Sequence, residues 1–230
     1  MVTNKTKISD IIYSNYHILP IISRFGIFPG FGEDTVENIC NEKKINIDLF
    51  LIITNVFLFE DYIPKNELKR ITIEELINYL KLSHSYFLEN KLPSIENKIN
   101  KLIEICGNDS KKIILIKNFY TEFKNEFIEH INYEDSKIYP YSLKVDRGDF
   151  EIEQNFQIED YLKNHSDIED KIFDLKNLFV KHLKIKTEKI ILLDLISEIF
   201  DFEKEMNDHQ KLEEKILIPM VKQLENKRLK

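Results

Sequence analysis

From residue 72 onward apolar side chains recur at steps of three and four, and no alternating strand-like run bounded by turns interrupts them. The spacing predicts helix almost throughout. Thr72 can cap the first helix, with Glu75 three residues on completing a capping box. The inward face of that helix reads Leu76, Leu80, His84, Phe87, Leu92, Ile95, Ile99 and Leu102, and Pro93 should kink or divide it. Gly107-Asn108 ends the run, and Asp109 or Ser110 caps a second helix carrying Ile113, Ile116, Tyr120, Phe123, Phe127, His130 and Glu134, which is expected to close at Pro140. After a loop containing Arg147-Gly148-Asp149, a third presents Ile158, Tyr161, Leu162, His165, Ile168, Ile172, Leu175 and Phe179. The fourth follows a turn near Lys186-Thr187 and presents Leu195, Ile199, Phe202, Met206, His209, Glu213, Ile216 and Met220. Four amphipathic helices joined by short loops make an all-α, up-down four-helix bundle.

Residues 1–60 read as a smaller unit of short helical pieces, and the polar stretch 61–71, with Pro64 inside it, as the linker to a bundle of residues 72–230. Three of the five glycines, Gly26, Gly30 and Gly32, fall in the stretch Gly-Ile-Phe-Pro-Gly-Phe-Gly. No Lys-Ser/Thr follows Gly32 and no apolar strand precedes Gly26, so a tight turn between short helices fits better than a phosphate-binding loop.

Polar residues on the apolar stripes carry the chemistry. A lone histidine and, about 45 residues later, a His-x-x-x-Glu pair occur twice, as His84 with His130 and Glu134 and as His165 with His209 and Glu213. Residues four apart on a helix point the same way, separated by roughly 6 Å along the axis, so each pair can reach one centre. Any one of these histidines alone reads as a hydrogen-bonded core residue, and a single His-x-x-x-Glu as a surface pair. Six such residues in repeated order on four buried stripes would be six burial penalties without a metal. Imidazole and carboxylate without thiolate suit a non-haem iron site, and two irons fit if the carboxylates bridge them; manganese or mixed occupancy suits the same donors. Glu126 and Glu169, four residues from His130 and His165, are either acceptors for an imidazole N–H or solvated helix-face carboxylates. His17 and His182 lie outside the register and suit surface or cap roles.

Composition narrows the partners. The chain has 230 residues, 43% hydrophobic and 32% charged, which is ordinary for a protein that folds around its own core. A net charge of -7 argues against a phosphate-binding surface, so no nucleic acid is expected. The N-terminus lacks the apolar core of a signal peptide and no apolar run approaches a membrane span, so the expected compartment is the cytoplasm, without membrane association. Cys40 and Cys106 show no metal-ligand spacing and read as free thiols.

The order His, His-x-x-x-Glu, His, His-x-x-x-Glu, behind a short Gly-containing N-terminal stretch, resembles hemerythrin-like proteins and most closely the Repair of Iron Centres family of di-iron proteins. The resemblance implies a hemerythrin-like bundle with His84, His130, Glu134, His165, His209 and Glu213 as ligands of two Fe ions, oxo- or hydroxo-bridged and carboxylate-bridged through Glu134 and Glu213. Oxygen-carrying hemerythrins use a fifth histidine and an aspartate, and this chain has no fifth histidine placed for that role. The stretch Ser23 to Cys40 is similar to the family's small N-terminal domain. Where the family commonly carries a cysteine pair after Gly-Ile, this chain has Phe28-Pro29.

The function so implied is repair of iron-sulfur clusters damaged by oxidative or nitrosative stress, with O2 or NO as small ligands, damaged iron-sulfur proteins as partners and a homodimer as an allowed assembly. Two further readings use the same ligands: a hemerythrin-like O2 or NO sensor or carrier, and a di-iron oxidase or peroxidase-like enzyme. The missing cysteine pair shifts the balance toward the binding reading, the sensor or carrier.

Overall fold

The computed structural model describes residues 1–64, 66–106, 111–149, 158, 166–183 and 189–228. Among the described residues every regular element is a helix, and extended pairing is confined to an antiparallel bridge between Lys7 and Thr35. The fold is an all-α helical bundle. Two compact units can be distinguished, one drawn from residues 1–83, 141–154 and 208–230, the other from 84–140 and 155–207.

In the first unit four short helices follow one another: α1 (Ile8–Ser14), α2 (Leu19–Ser23), α3 (Val36–Lys43) and α4 (Ile47–Leu58). Their starts are set by side-chain caps. Thr35 accepts from the Asn38 N–H at the head of α3, and Asn46 accepts from the N–H groups of Asp48 and Leu49 at the head of α4. The glycine-rich stretch between α2 and α3 is the expected turn. Gly26 has φ 71° and Gly30 φ 116°, values at which a side chain would be strained. Helix α4 buries nearly all of its length, from Leu49 to Phe57 apart from the half-buried Leu51. Its buried Asn55 takes the N–H of Val2 on its side-chain oxygen at 2.9 Å and donates its amide to the Val2 carbonyl at 3.1 Å, pinning the N-terminal segment.

Helix α5 (Ile73–Tyr86) begins at the capping box read from the sequence. The Thr72 N–H donates to Glu75 Oε2 at 2.8 Å, and the Glu75 N–H donates to Thr72 Oγ1 at 3.1 Å. The Asn46 amide donates to the Glu75 carboxylate and to the Arg70 carbonyl, tying the head of α4 to the head of α5.

In the second unit four helical segments share one core: α6 (Leu92–Cys106), α7 (Lys111–Tyr133), α9 (Ser166–Asn177) and the first part of α10 (Lys189–Leu212). The stripes expected from the sequence are its contents. Leu92, Ile95, Ile99 and Leu102 meet Ile113, Ile116, Tyr120, Phe123 and Phe127, with Ile168, Ile172, Leu175 and Phe179 and with Leu195, Ile199, Phe202 and Met206. Phe87, Phe127 and Phe202 meet tilted or edge-on, with ring centroids 5.4 to 5.9 Å apart, the spacing and tilt that aromatic quadrupoles favour.

Two expectations need correcting. Pro140 does not close its helix. Glu134–Ile138 forms a π-helical turn, and the chain continues as α8 (Tyr139–Asp146) with Pro140 as its second residue. The same arrangement recurs where the turn Phe87–Lys91 precedes α6 and Pro93, and where Glu213–Leu217 precedes α11 (Ile218–Arg228) and Pro219. A proline in a helix lacks its N–H, and its ring crowds the carbonyl four residues back; a wider turn at that point relieves the clash. The first of these turns is the division expected at Pro93. The second correction follows from the same geometry. Met220 was expected on the buried stripe, but Val221 is the buried residue and Met220 is only half-buried, because the extra residue in the π turn advances the register by one.

Helix α8 ends as its glycine predicts. Gly148, at φ 70°, donates to the Val145 carbonyl, and the Asp149 N–H reaches back to Lys144, the paired bonds of a Schellman end. The expected turns at Gly107-Asn108 and Lys186-Thr187, the caps at Asp109 and Ser110, and Tyr161, Leu162 and His165 lie outside the described residues.

Candidate metal centre

Helix periodicity brings the polar residues inward. His84, four residues past Leu80 on α5, is buried, and so is Glu134, which opens the π turn after α7. The two carboxylate oxygens of Glu134 meet different imidazoles: Oε2 lies 3.0 Å from Nε2 of His84, and Oε1 lies 2.8 Å from Nε2 of His130. His130 is partly buried, at 17% side-chain exposure. A carboxylate that divides its oxygens between two imidazoles has the connectivity a bridge between two metal ions requires.

The second motif repeats the relation in a looser form. On α10 and the π turn that follows it, His209 Nε2 lies 3.6 Å from Glu213 Oε1, with both residues buried. His84 and Glu134, with His130 brought against Glu134, belong to one unit, and His209 and Glu213 to the other; each set gathers imidazole and carboxylate. His165 lies outside the described residues.

The donor set fits a hard or borderline divalent metal. It holds imidazole nitrogens and carboxylate oxygens without a thiolate, and the two carboxylates, each 1% exposed, supply anionic charge that is costly to bury unless a cation accompanies it. His84, His130, Glu134, His209 and Glu213 are the described residues that could hold such an ion.

Two residues that periodicity did not single out complete the surroundings of His84. Asp135 Oδ1 lies 3.1 Å from Nδ1 of the imidazole. That contact puts a carboxylate behind the ring, the arrangement that orients a ligating imidazole, while Nε2 faces Glu134. The hydroxyl of Tyr139, fully buried, lies 3.3 Å from the same Nε2, and the two rings stack at 5.5 Å with a 10° angle. A signal for the local geometry was present in the sequence: a proline follows each motif glutamate by six residues, at Pro140 and Pro219.

The other candidates raised by the sequence lie elsewhere among the described residues. Glu126 pairs with Lys171, and Glu169 is exposed. His17 stacks on Tyr16, and His182 is exposed at the end of the π turn after α9, in keeping with surface or cap roles. Tyr133 is 37% exposed on the far side of α7 from the core. Cys40 is fully buried, and burial pushes its thiol up to about 12.

No protein-family model matches the chain. Proteins named iron-sulfur cluster repair protein ScdA from two strains of Staphylococcus epidermidis are 21% identical over 227 residues, spanning 96% of this chain and 100% of each relative. The protein of that name from Staphylococcus haemolyticus is 18% identical over 218 residues, 94% of this chain and 98% of its own. The chain is thus similar end to end to proteins named for iron-sulfur cluster repair, and it carries paired histidine and glutamate motifs along its helices.

Proposed function

We propose that this chain is a non-haem di-iron protein that restores iron-sulfur clusters damaged by oxidative or nitrosative stress. The observation that carries the reading is the carboxylate of Glu134, buried and divided between His84 and His130. Full-length similarity to proteins named for cluster repair supplies the biological direction.

In this reading Glu134 and Glu213 bridge the metal ions, His84, His130 and His209 hold them, and His165 completes the set by its place in the repeat. A ferrous pair supplies a binding site for O2 or NO and an exchangeable source of iron. The protein's own part is to keep the donors dry and aimed. Asp135 would orient His84 through Nδ1, and the buried carboxylates of Glu134 and Glu213 would supply the oxygen donors and anionic charge that hold iron. Iron is then the cargo, and a damaged iron-sulfur protein the recipient.

Transfer is the test. Ferrous-loaded protein is added to an enzyme whose cluster has been damaged by NO, with free ferrous salt and a chelator as controls. Return of activity faster than with iron salt, with matching loss of iron from the donor, is the expected result. Recovery no faster than with the salt, with the di-iron spectrum unchanged, would sink repair in favour of an O2 or NO sensor or carrier.

A further inference from the structure

Five residues beyond each motif glutamate the chain departs from its own repeat: Tyr139 follows Glu134, whereas Ile218 follows Glu213. Both are buried, Tyr139 completely. A phenol placed in a core needs a polar partner for its hydroxyl. The partner here is Nε2 of His84, 3.3 Å away. Asp135 meets Nδ1 of that ring, and Nε2 is the nitrogen that meets Glu134 Oε2 at 3.0 Å. The phenol oxygen and the Glu134 oxygen therefore stand beside the same nitrogen. Two donors that sit side by side on one octahedral ion at about 2.1 Å are about 3 Å apart. Both the Glu134 oxygen and the Tyr139 oxygen stand near that spacing from Nε2.

We propose that Tyr139 is a further metal ligand, binding one iron of the pair as a phenolate; the assignment rests on the di-iron reading above. An O–Fe bond forms as the phenolic O–H bond breaks, and the proton leaves to solvent. Ile218 offers no donor at the matching place in the second motif, so one iron carries the phenolate and the two positions are chemically unequal. A hard anionic oxygen favours the ferric over the ferrous ion. The Tyr139-bound iron is accordingly the one retained on oxidation and surrendered after reduction.

Visible absorption and resonance Raman spectra of iron-loaded protein oxidised with ferricyanide, with iron measured per chain, test the assignment. The wild-type protein should show a tyrosinate-to-ferric charge-transfer band with enhanced phenolate ring modes that shift when ring-deuterated tyrosine is incorporated. Tyr139→Phe should keep its iron and lose both features. Tyr120→Phe, which removes a buried hydroxyl that donates to the Leu92 carbonyl at 2.6 Å, should keep both. Iron-loaded wild-type protein without phenolate modes, or a Tyr139→Phe spectrum identical to wild type, overturns the ligand assignment and leaves the di-iron reading standing. A chain that takes up no iron overturns both. The isotope measurement needs no variant, so absent phenolate modes overturn the assignment even where Tyr139→Phe fails to fold.

Discussion

One carboxylate, Glu134, touches two imidazoles through different oxygens, and its neighbour Asp135 holds the far nitrogen of one of them. In the proposed site, ligation by Glu134 and orientation by Asp135 fall to adjacent residues of one turn. Replacing His130 or His209 by Ala removes a donor and should lower iron content sharply, whereas His17→Ala and His182→Ala should leave it unchanged. Iron loss in either of the last two, measured by metal analysis, would mean that the ligand set is wrong. Asp135→Asn should keep the fold and weaken iron retention by about 10- to 100-fold, the usual consequence of removing a carboxylate behind a ligating imidazole. A chelator competition assay measures it, and unaltered retention would remove Asp135 from this role. Periodicity exposed His84 and Glu134 because a ligand must lie on the buried stripe. It could not expose Asp135, whose partner is 51 residues away in the chain.

Helices here are started by caps and interrupted by π turns, and only the caps are local enough to read directly. Thr72 and Glu75 satisfy each other's N–H groups at the head of α5, and Thr72→Ala should cost about 1 kcal/mol in chemical denaturation. Burial alone would raise the Glu75 carboxyl, but hydrogen bonds from the Thr72 backbone, the Asn46 amide and the Thr72 hydroxyl hold it below its ordinary value of 4.5. Because the folded value is the lower one, this contribution is present above 4.5 and is lost as pH falls through the folded value. The stability difference between wild type and Glu75→Ala should therefore shrink on acidification; a difference that grows would contradict the linkage. Asn55→Ala leaves the Val2 backbone without its partner and should cost about 1–3 kcal/mol. Three of the described π turns were signalled by prolines at Pro93, Pro140 and Pro219, yet a proline alone is equally consistent with a helix end. Which outcome occurs depends on whether packing beyond the proline rewards continuing, as the burial of Ile138, Tyr139 and Ser142 does for α8.

Across the whole molecule, thiol chemistry has little to offer the proposed function. Phe28-Pro29 stands where the family the sequence resembles commonly carries a cysteine pair, and Cys40 is fully buried with its thiol pushed up to about 12. At neutral pH that thiol stays protonated, so it is a poor nucleophile and a poor iron ligand. Alkylation of the native protein should modify the half-buried Cys106 and spare Cys40, with both labelled only after denaturation. Rapid native labelling of Cys40, read by mass spectrometry of peptides, would reopen a thiol role. No helix among the described residues is long and apolar enough to cross a membrane.

Sequence by itself determined the helical class, the buried stripes, the head of α5, the glycine turn before α3 and the two His-x-x-x-Glu pairs. Each of these is a relation among residues a few positions apart, and the 3.6-residue period converts such spacing into a shared face. Tertiary structure alone decided which atoms meet. The register change from Met220 to Val221 comes from one extra residue in a π turn, whose hydrogen bonds compete with α-helical ones by margins that packing settles. The placement of the Tyr139 hydroxyl beside Nε2 of His84 joins residues 55 apart. Contacts at that separation are set by how helices pack, and no local pattern of apolar and polar positions encodes them.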